Sequence, residues 1–415
     1  MTHYTRVRLA PRGPFHFGGR GVGMEHSEVG LPADSLFSAL CITLRETAGG
    51  AAVEALLARY PTSERSAAPP FRLTSLMPYA AGVYFLPSPM IGPPKVTGAD
   101  DLRRRKEFKE IAWVSEVVFR YLTRGETPAE ALDGNGHPIT IQGGKVWLTQ
   151  AECKSLKIFE GRDLETHAVV KPLLWRTGRR PRVTVDRLTS ASAVYSAGAT
   201  EFNQAEQDGA DGKKQKLTAG LYTVIEWLDA DDALRGQIKA AFEALGAAGI
   251  GGERSSGYGQ FTPGFDELAA WQPGAAGGGY FTTLAPYLPA RGESQVIGPG
   301  ARYEITLRRG WLSLPGHQNL RRGTARMIAD GSVLHWPAGG APMGTLADVT
   351  PGPLDMPDGR RIYRYGLAFP VRIADAAMNL TPPAPLPCEG RGEANSPLLA
   401  GEGLGVRSEV SHDRT

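Results

Sequence analysis

The sequence has few cysteines and no long apolar segment, and each absence excludes a class of protein. Its 415 residues include three cysteines, which lie far apart and form no CxxC pair. A zinc ribbon, an iron–sulfur cluster and a disulfide scaffold are therefore not expected. No run of about 18 apolar residues occurs, so we expect no membrane span, and the first residues lack the apolar core of a signal peptide. These absences predict a soluble, cytoplasmic protein.

Net charge is also small, at +3 from 46 basic and 43 acidic residues. A nucleic-acid-binding protein with this charge must bind through local basic patches. Hydrophobic residues make up 41% and charged residues 21% of the chain, proportions that exclude disorder over most of its length. At about 100–200 residues per domain, the length predicts two or three domains.

Hydrophobic periodicity predicts strands and helices in both halves of the chain. A strand at 4–10 and a glycine-rich loop at 11–31 precede a predicted helix, LPADSLFSALCITLRETAGG, with Asp34 as its N-cap. Further helices are predicted at 101–123, 231–245 and 320–331. Further strands are predicted at 167–175, 182–188, 221–228, 302–314 and 362–373. The sequence therefore predicts a repeated α+β unit.

A second glycine-rich segment, 246–261, is the densest of its kind, with six glycines among residues 246–259. It contains no Gly-Lys-Ser/Thr at P-loop spacing and no GxGxxG, and it follows a predicted helix, where the dinucleotide motif follows a strand. Two interpretations remain open. The segment is either a helix stop followed by a turn, or a ridge whose backbone N–H groups hold a polynucleotide backbone.

Several motifs resemble those of one protein superfamily. GIGGERSSGYGQF, FHFGG followed by LPADSLFSAL, and VTVDRLTSASA are similar to segments of the RAMP superfamily of CRISPR-associated proteins. RRGWLSL, LRRGTARMIADGSVL and RYGLAFPV resemble the fourth subunit of the Csm effector complex of type III-A systems. The equivalent subunit of type III-B complexes stays open as an alternative. The resemblance covers residues 4–373, apart from 125–165.

The resemblance implies an α+β fold of two tandem ferredoxin-like (RRM-type, βαββαβ) domains. The first would span 1–262, with an insertion near 125–165 and the glycine-rich loop 246–261, and the second would span 280–374. Residues 375–415 are predicted to form a disordered tail, because 376–415 contain no Phe, Trp or Tyr.

The resemblance also implies a role. Such a subunit holds the 5′ handle of the CRISPR RNA and joins the large polymerase–cyclase subunit to the backbone subunits, with target RNA as a further partner. It is expected to be non-catalytic and to need no cofactor and no metal.

The predicted RNA-binding residues lie in three segments. The strongest charge lies between Lys171 and Arg187, where six basic residues and one acidic residue give a local charge of +5. Hydroxyl and glycine-rich segments on either side are suited to backbone contacts with single-stranded RNA. The predicted set is His16, Phe17, Arg20, His26, Lys171, Arg179, Arg180, Arg182, Arg187, Ser190, Gly249, Gly251, Gly252, Arg254, Ser255, Ser256, Gly257 and Tyr258.

One catalytic role stays open as an alternative. A metal-independent endoribonuclease that processes precursor CRISPR RNA would need a general base and a cation, and His16, His26 and Lys171 are the candidates. The pairs Arg308–Arg309 and Arg321–Arg322 would contact either RNA or a partner subunit, and the sequence does not decide between the two.

Overall fold

A computed structural model describes residues 3–18, 25–92, 101–159, 172–208, 214–312, 320–352 and 361–378. The strands are β1 His3–Pro11, β2 Phe71–Leu73, β3 Met77–Ala80, β4 Val83–Pro87, β5 Trp113–Ser115, β6 Thr140–Ile141, β7 Val146–Trp147, β8 Trp175–Val185, β9 Ser192–Phe202, β10 Gln204–Asp208, β11 Lys214–Trp227, β12 Phe261–Leu268, β13 Tyr280–Thr283, β14 Ile305–Arg308, β15 Ala325–Ile328, β16 Val333–His335, β17 Ala347–Asp348, β18 Tyr363–Arg364 and β19 Pro370–Ile373. The helices are α1 Ala33–Ala48, α2 Gly50–Ala58, α3 Asp101–Glu110, α4 Glu116–Arg124, α5 Gln150–Ser155, α6 Asp232–Ala248 and α7 Asp375–Met378. Short 3₁₀ turns lie at Ala129–Ala131, Leu156–Phe159, Arg254–Ser256 and Arg291–Val296.

The largest sheet has the strand order β12-β1-β11-β3-β4-β5-β7-β6, and β2 and β10 also pair with β11. The first four strands pair antiparallel, with α1 between β1 and β3 in the chain and α6 between β11 and β12. This order is that of one βαββαβ unit. The mixed α+β class is confirmed, whereas the tandem ferredoxin-like arrangement stays a prediction.

The main core lies where α1 packs against α6. The predicted apolar face of α1 is buried through Leu36, Phe37, Leu40 and Leu44, and Phe242 of α6 is fully buried. These apolar side chains stand at i, i+1, i+4 and i+8 and form one stripe on the helix, which explains why this element was predictable.

Asp34 does not cap α1. The helix begins at Ala33 after Pro32, and the Asp34 side chain is fully buried. Its carboxylate accepts hydrogen bonds from Arg308, at 3.0 Å, and from Arg364. Asp34 therefore ties the first turn of α1 to two arginines from the C-terminal part of the chain.

Two helix predictions were wrong in detail. Residues 101–123 form two helices, α3 and α4, with strand β5 between them. Residues 325–328, inside the helix predicted at 320–331, form strand β15, which pairs antiparallel with β14. Pairing with another strand overrides local helix propensity when it buries apolar side chains, and Met327 and Ile328 are buried here.

Two further segments differ from what their composition indicated. Residues 125–159 contribute β6, β7 and α5, and β7 pairs with β5, so this stretch extends the large sheet. At the other end, Asp375–Met378 form the short helix α7, with Ala377 buried. The rest of the predicted tail lies outside the described residues.

The C-terminal part is built mainly from small sheets. Strands β16, β13 and β19 form one sheet, and β14–β15 and β17–β18 form two-stranded sheets. Phe281, Tyr287 and Leu334 are fully buried in a separate apolar cluster. This C-terminal part also packs against the main core, because the ring centres of Tyr365 and Phe37 lie 4.8 Å apart.

Candidate nucleic-acid interface

Three segments that are far apart in the sequence meet at His16. Its backbone carbonyl accepts a hydrogen bond from Gly252 N–H at 2.9 Å. Its ring Nδ1 lies 2.8 Å from the carbonyl oxygen of Gly198, in the long hairpin formed by β8 and β9. The segment after β1, the hairpin and the glycine-rich loop 246–261 therefore form one surface region, which we call the glycine–arginine interface.

The glycine-rich loop first ends α6 and then folds back on itself. Gly249 follows the helix with a φ of 85°, and its N–H donates to the Leu245 carbonyl. Ile250 N–H then donates to the Gly259 carbonyl at 3.0 Å, and Gly259 N–H donates to the Pro14 carbonyl at 2.8 Å. The first of the two interpretations, a helix stop and turn, thus describes the ends of the loop.

The middle of the loop projects outward. Arg254, Ser255 and Ser256 form an exposed 3₁₀ turn, while Tyr258 behind it is buried. An exposed guanidinium and two hydroxyls on a glycine-bounded turn are the groups that bind phosphate and sugar oxygens. This exposed turn is compatible with the second interpretation.

Close backbone approach explains why glycine occupies particular positions here. A Cβ on Gly251 would lie 2.5 Å from the His16 carbonyl oxygen, and one on Gly198 would lie 2.7 Å from the backbone of His26. Real Cβ atoms do not approach other atoms this closely. The hairpin and the loop can therefore contact the segment after β1 only because these residues have no side chain.

The hairpin has two long strands and carries its basic residues on the first of them, β8. Residues Trp175–Val185 pair with Ser192–Phe202 over eleven positions. Phe15 exchanges two backbone hydrogen bonds of 2.8 Å with Thr200, which joins the base of the hairpin to the segment after β1. The resembling motif VTVDRLTSASA forms the outer end of this hairpin and its turn.

Asp186 shapes the turn at the outer end of the hairpin. Its carboxylate accepts hydrogen bonds from the backbone N–H groups of Leu188, at 2.7 Å, and Thr189, at 3.0 Å. These bonds hold the pKa of Asp186 below its usual value, and the bond from Thr189 has the larger effect. Ser190 completes the turn with a φ of 54°. Arg187 is held on this turn, exposed to solvent.

Three of the hairpin arginines have glutamate partners that the local sequence does not show. Arg179 lies 3.2 Å from Glu25, Arg180 pairs with Glu201, and Arg182 lies 3.8 Å from Glu253. The Arg182 guanidinium also lies 5.1 Å from the centre of the Tyr258 ring. The pairs of Arg179 and Arg180 are exposed and contribute little to stability, about 0–1 kcal/mol. They hold the guanidinium groups in position, where a phosphate can replace the carboxylate.

The structure separates the predicted site residues into buried and exposed sets. His16, Phe17 and Tyr258 are buried, with exposures of 8%, 2% and 2%, so they position the interface and do not present stacking surfaces. Gly249 is also buried, and Arg182 and Gly252 are half-buried. The exposed members are His26, Arg179, Arg180, Arg187, Ser190, Gly251, Arg254, Ser255, Ser256 and Gly257. Arg20 and Lys171 lie outside the described residues.

The residues that sequence reasoning missed are those that pair or pack across segments. Glu25, Glu201 and Glu253 reduce the local charge of +5, and Gly198 permits the contact with His26. No spacing rule links Arg179 to a residue at position 25. Glu253 has a φ of 56°, unusual for a residue other than glycine, and the folded loop shows this while the sequence does not.

Two glycines of the loop give a matched test of this packing. Both Gly259 and Gly257 have positive φ, of 76° and 80°, but a Cβ on Gly259 would lie 2.1 Å from the Ile250 carbonyl oxygen, whereas one on Gly257 meets nothing within 4 Å. We expect Gly259→Ala to destabilise the protein by about 2–4 kcal/mol, through overlap and backbone strain. Gly257→Ala introduces only backbone strain and should destabilise the protein by about 1 kcal/mol. Urea denaturation of both variants measures the difference, and equal losses would contradict the close approach.

Two absences among the described residues concern metal binding and membrane insertion. Within them, no three His, Cys, Asp or Glu side chains lie together as metal ligands. None of their helices is both long and apolar enough to cross a membrane.

Comparisons with known proteins give the same resemblance as the motifs. Residues 277–373 match the family model described as the CRISPR Csm4 C-terminal domain. The chain is 24% identical over 375 residues to the CRISPR system Cms protein Csm4 of Thermococcus onnurineus (strain NA1), covering 90% of this chain and 98% of the relative. It is 25% identical over 339 residues to the protein of the same name from Mycobacterium tuberculosis (strain CDC 1551 / Oshkosh), covering 81% and 89%.

A solved structure shares the fold. A chain in the crystal structure of the Csm3-Csm4 subcomplex in the type III-A CRISPR-Cas interference complex superposes with a TM-score of 0.57 at 14% identity, covering 89% of this chain and 99% of that chain. The resemblance to CRISPR-associated proteins of the RAMP superfamily is confirmed. Within that class, the chain is similar to Csm4, the fourth subunit of the Csm complex.

Proposed function

We propose that this chain is the non-catalytic RNA-binding subunit of a type III-A CRISPR effector complex in the cytoplasm. It holds the 5′ handle of the CRISPR RNA and joins the large polymerase–cyclase subunit to the Csm3-type backbone subunits, in antiviral defence. The observation that carries the proposal is the glycine–arginine interface, where three segments with RNA-binding chemistry form one surface. The similarity to Csm4 supplies the complex.

The interface suits a single-stranded RNA backbone. Its exposed groups are guanidinium and hydroxyl groups, which contact phosphate and 2′-hydroxyl oxygens. The turn that carries Arg254 lies beside the half-buried Arg182, whose glutamate partner Glu253 immediately precedes Arg254. Phosphates that contact Arg182 and Arg254 release their counterions, so RNA binding should weaken strongly as the salt concentration rises.

The surroundings of the histidines favour a binding role over catalysis. His16 is 8% exposed, and its Nδ1 is engaged with the Gly198 carbonyl, so its ring connects two segments of the fold. His26 is exposed, so it is accessible to RNA. Accessibility alone does not make it a general base, because a general base also needs a neighbouring group that orients it. Because the alternative is an endoribonuclease, the test must detect both binding and cleavage.

We expect the purified chain to retard labelled repeat RNA in a gel that contains EDTA, without cutting it. Arg254→Ala should weaken binding about tenfold, since one phosphate contact is lost, while the matched variant Arg45→Ala, at the exposed end of α1, should leave binding unchanged. Cleavage at one site, abolished by His26→Ala, would contradict the non-catalytic role. Equal binding of the Arg254→Ala and unmodified chains would contradict the assignment of the interface.

A further inference from the structure

Burial divides the two arginine pairs of the C-terminal part into engaged and exposed members. Arg308 is committed to Asp34, and Arg322 is half-buried. Arg309 and Arg321 are exposed, and the Arg321 guanidinium lies 4.5 Å from the ring centre of Trp311. The exposed members of both pairs therefore flank strand β14.

Strand β14 carries an exposed apolar stripe. Tyr303, Ile305 and Leu307 are 42%, 45% and 44% exposed, and Trp311, further along the chain, is 55% exposed. Alternate residues of a strand share one face, so the first three form a continuous row. The opposite face is turned inward, because Thr306 is buried and Arg308 reaches Asp34.

The same strand has a free edge within the described part of the chain, where it pairs with β15 alone. The Glu304 carbonyl accepts from Ala329 N–H at 2.8 Å, and Arg302 exchanges two hydrogen bonds with Val333. Backbone groups of an antiparallel strand point alternately to its two sides. The N–H and C=O groups of Ile305 and Leu307 therefore point away from β15, towards the open edge.

An exposed apolar edge strand invites pairing with another strand, and soluble proteins usually protect such edges. The charge beside this edge is basic, because Arg326 stands opposite Leu307 in register and is exposed, like Arg309 and Arg321. We propose that β14 is a docking edge for a partner protein strand that carries both apolar and acidic residues on one face. The added strand pairs with the backbone of Ile305 and Leu307, its apolar side chains cover the exposed stripe, and its carboxylates lie on the face that carries the three arginines.

This inference is independent of the proposed RNA site, which lies on other segments. The test uses the full chain and a labelled heptapeptide, Glu-Thr-Val-Thr-Ile-Thr-Glu, which in a strand places both Glu side chains on the same face as Val and Ile. We expect saturable binding with a Kd below about 1 mM, and slower hydrogen exchange at the Ile305 and Leu307 amides when the peptide is bound. The Thr306 and Arg308 amides, which face β15, should exchange slowly with or without peptide.

Two variants separate strand addition from unspecific attraction. Ile305→Pro removes one outward N–H without removing a bond to β15, and should weaken peptide binding at least about fivefold. Arg309→Glu, at an exposed position directly after β14, should weaken binding of the acidic peptide and improve binding of its lysine counterpart, Lys-Thr-Val-Thr-Ile-Thr-Lys. Absence of peptide binding, or unprotected Ile305 and Leu307 amides in the bound state, would overturn the proposal. So would protection of these amides by an oligouridylate but not by the peptide.

Discussion

Replacing Asp34 by asparagine is expected to destabilise the protein by about 3–5 kcal/mol. The carboxylate is fully buried and pairs with Arg364, which is 3% exposed, and with Arg308. Without the negative charge, two guanidinium groups remain close together with little access to water. Removing one member of a buried ion pair costs more than the pair contributes, because the remaining charge stays desolvated. Urea denaturation, followed by tryptophan fluorescence, measures the loss.

A control pair distinguishes burial from mere loss of an ion pair. Arg59 and Asp229 lie 2.8 Å apart, but the Asp229 side chain is 77% exposed. Asp229→Asn should therefore cost at most about 1 kcal/mol. The double variant Asp34→Asn with Arg364→Met should recover part of the loss, since it removes one of the two uncompensated cations. A loss from Asp34→Asn no larger than that from Asp229→Asn would show that water reaches the Asp34 cluster.

The role of Asp34 also shows where sequence reasoning ends. An aspartate ahead of an apolar helical stripe is the usual sign of an N-cap, and that local rule placed Asp34 there. Its buried partners, Arg308 and Arg364, follow it in the chain by 274 and 330 residues. The stripe was predictable because it depends on neighbours within two turns, whereas the ion pair depends on how the two parts of the chain pack.

The same distinction applies to the interface. The glycine-rich loop and the basic hairpin were visible as sequence patterns, since glycine density and charge density are local properties. Their meeting at His16 was not visible, nor was the pairing of Arg179 and Arg182 with Glu25 and Glu253. The sequence therefore indicated the chemistry of the surface and overstated its charge.

Strand β15 was missed for a related reason. Residues 325–328 are Ala, Arg, Met and Ile, all of which tolerate a helix. The adjacent buried pair Met327 and Ile328 is compatible with a helix or a strand. The deciding contact is with β14, across a connection that includes residues 313–319, outside the described residues. Short apolar segments of this kind take the structure that buries them, which periodicity alone does not determine.

The largest effect on function is expected from removing three cations of the glycine–arginine interface together. We expect the variant with Arg182, Arg187 and Arg254 replaced by alanine to bind the repeat RNA about 1,000-fold more weakly at moderate salt, since each guanidinium is assigned one phosphate contact worth about tenfold. The slope of log affinity against log salt concentration should fall by about 2, at ~0.7 per contact with a single strand. Fluorescence anisotropy across a salt series measures both quantities.

The control for this variant removes the same charge elsewhere. Arg45, Arg103 and Arg124 are exposed and lie outside the three segments of the interface. Their joint replacement by alanine lowers the net charge equally, so any effect of the overall field appears in both variants. We expect this control to change affinity less than about threefold and to leave the salt slope unaltered, because screening confines charge effects to about 10 Å at 0.1 M salt. Equal losses in the two variants would mean that the RNA responds to net charge, and the converging segments would then not form the binding site.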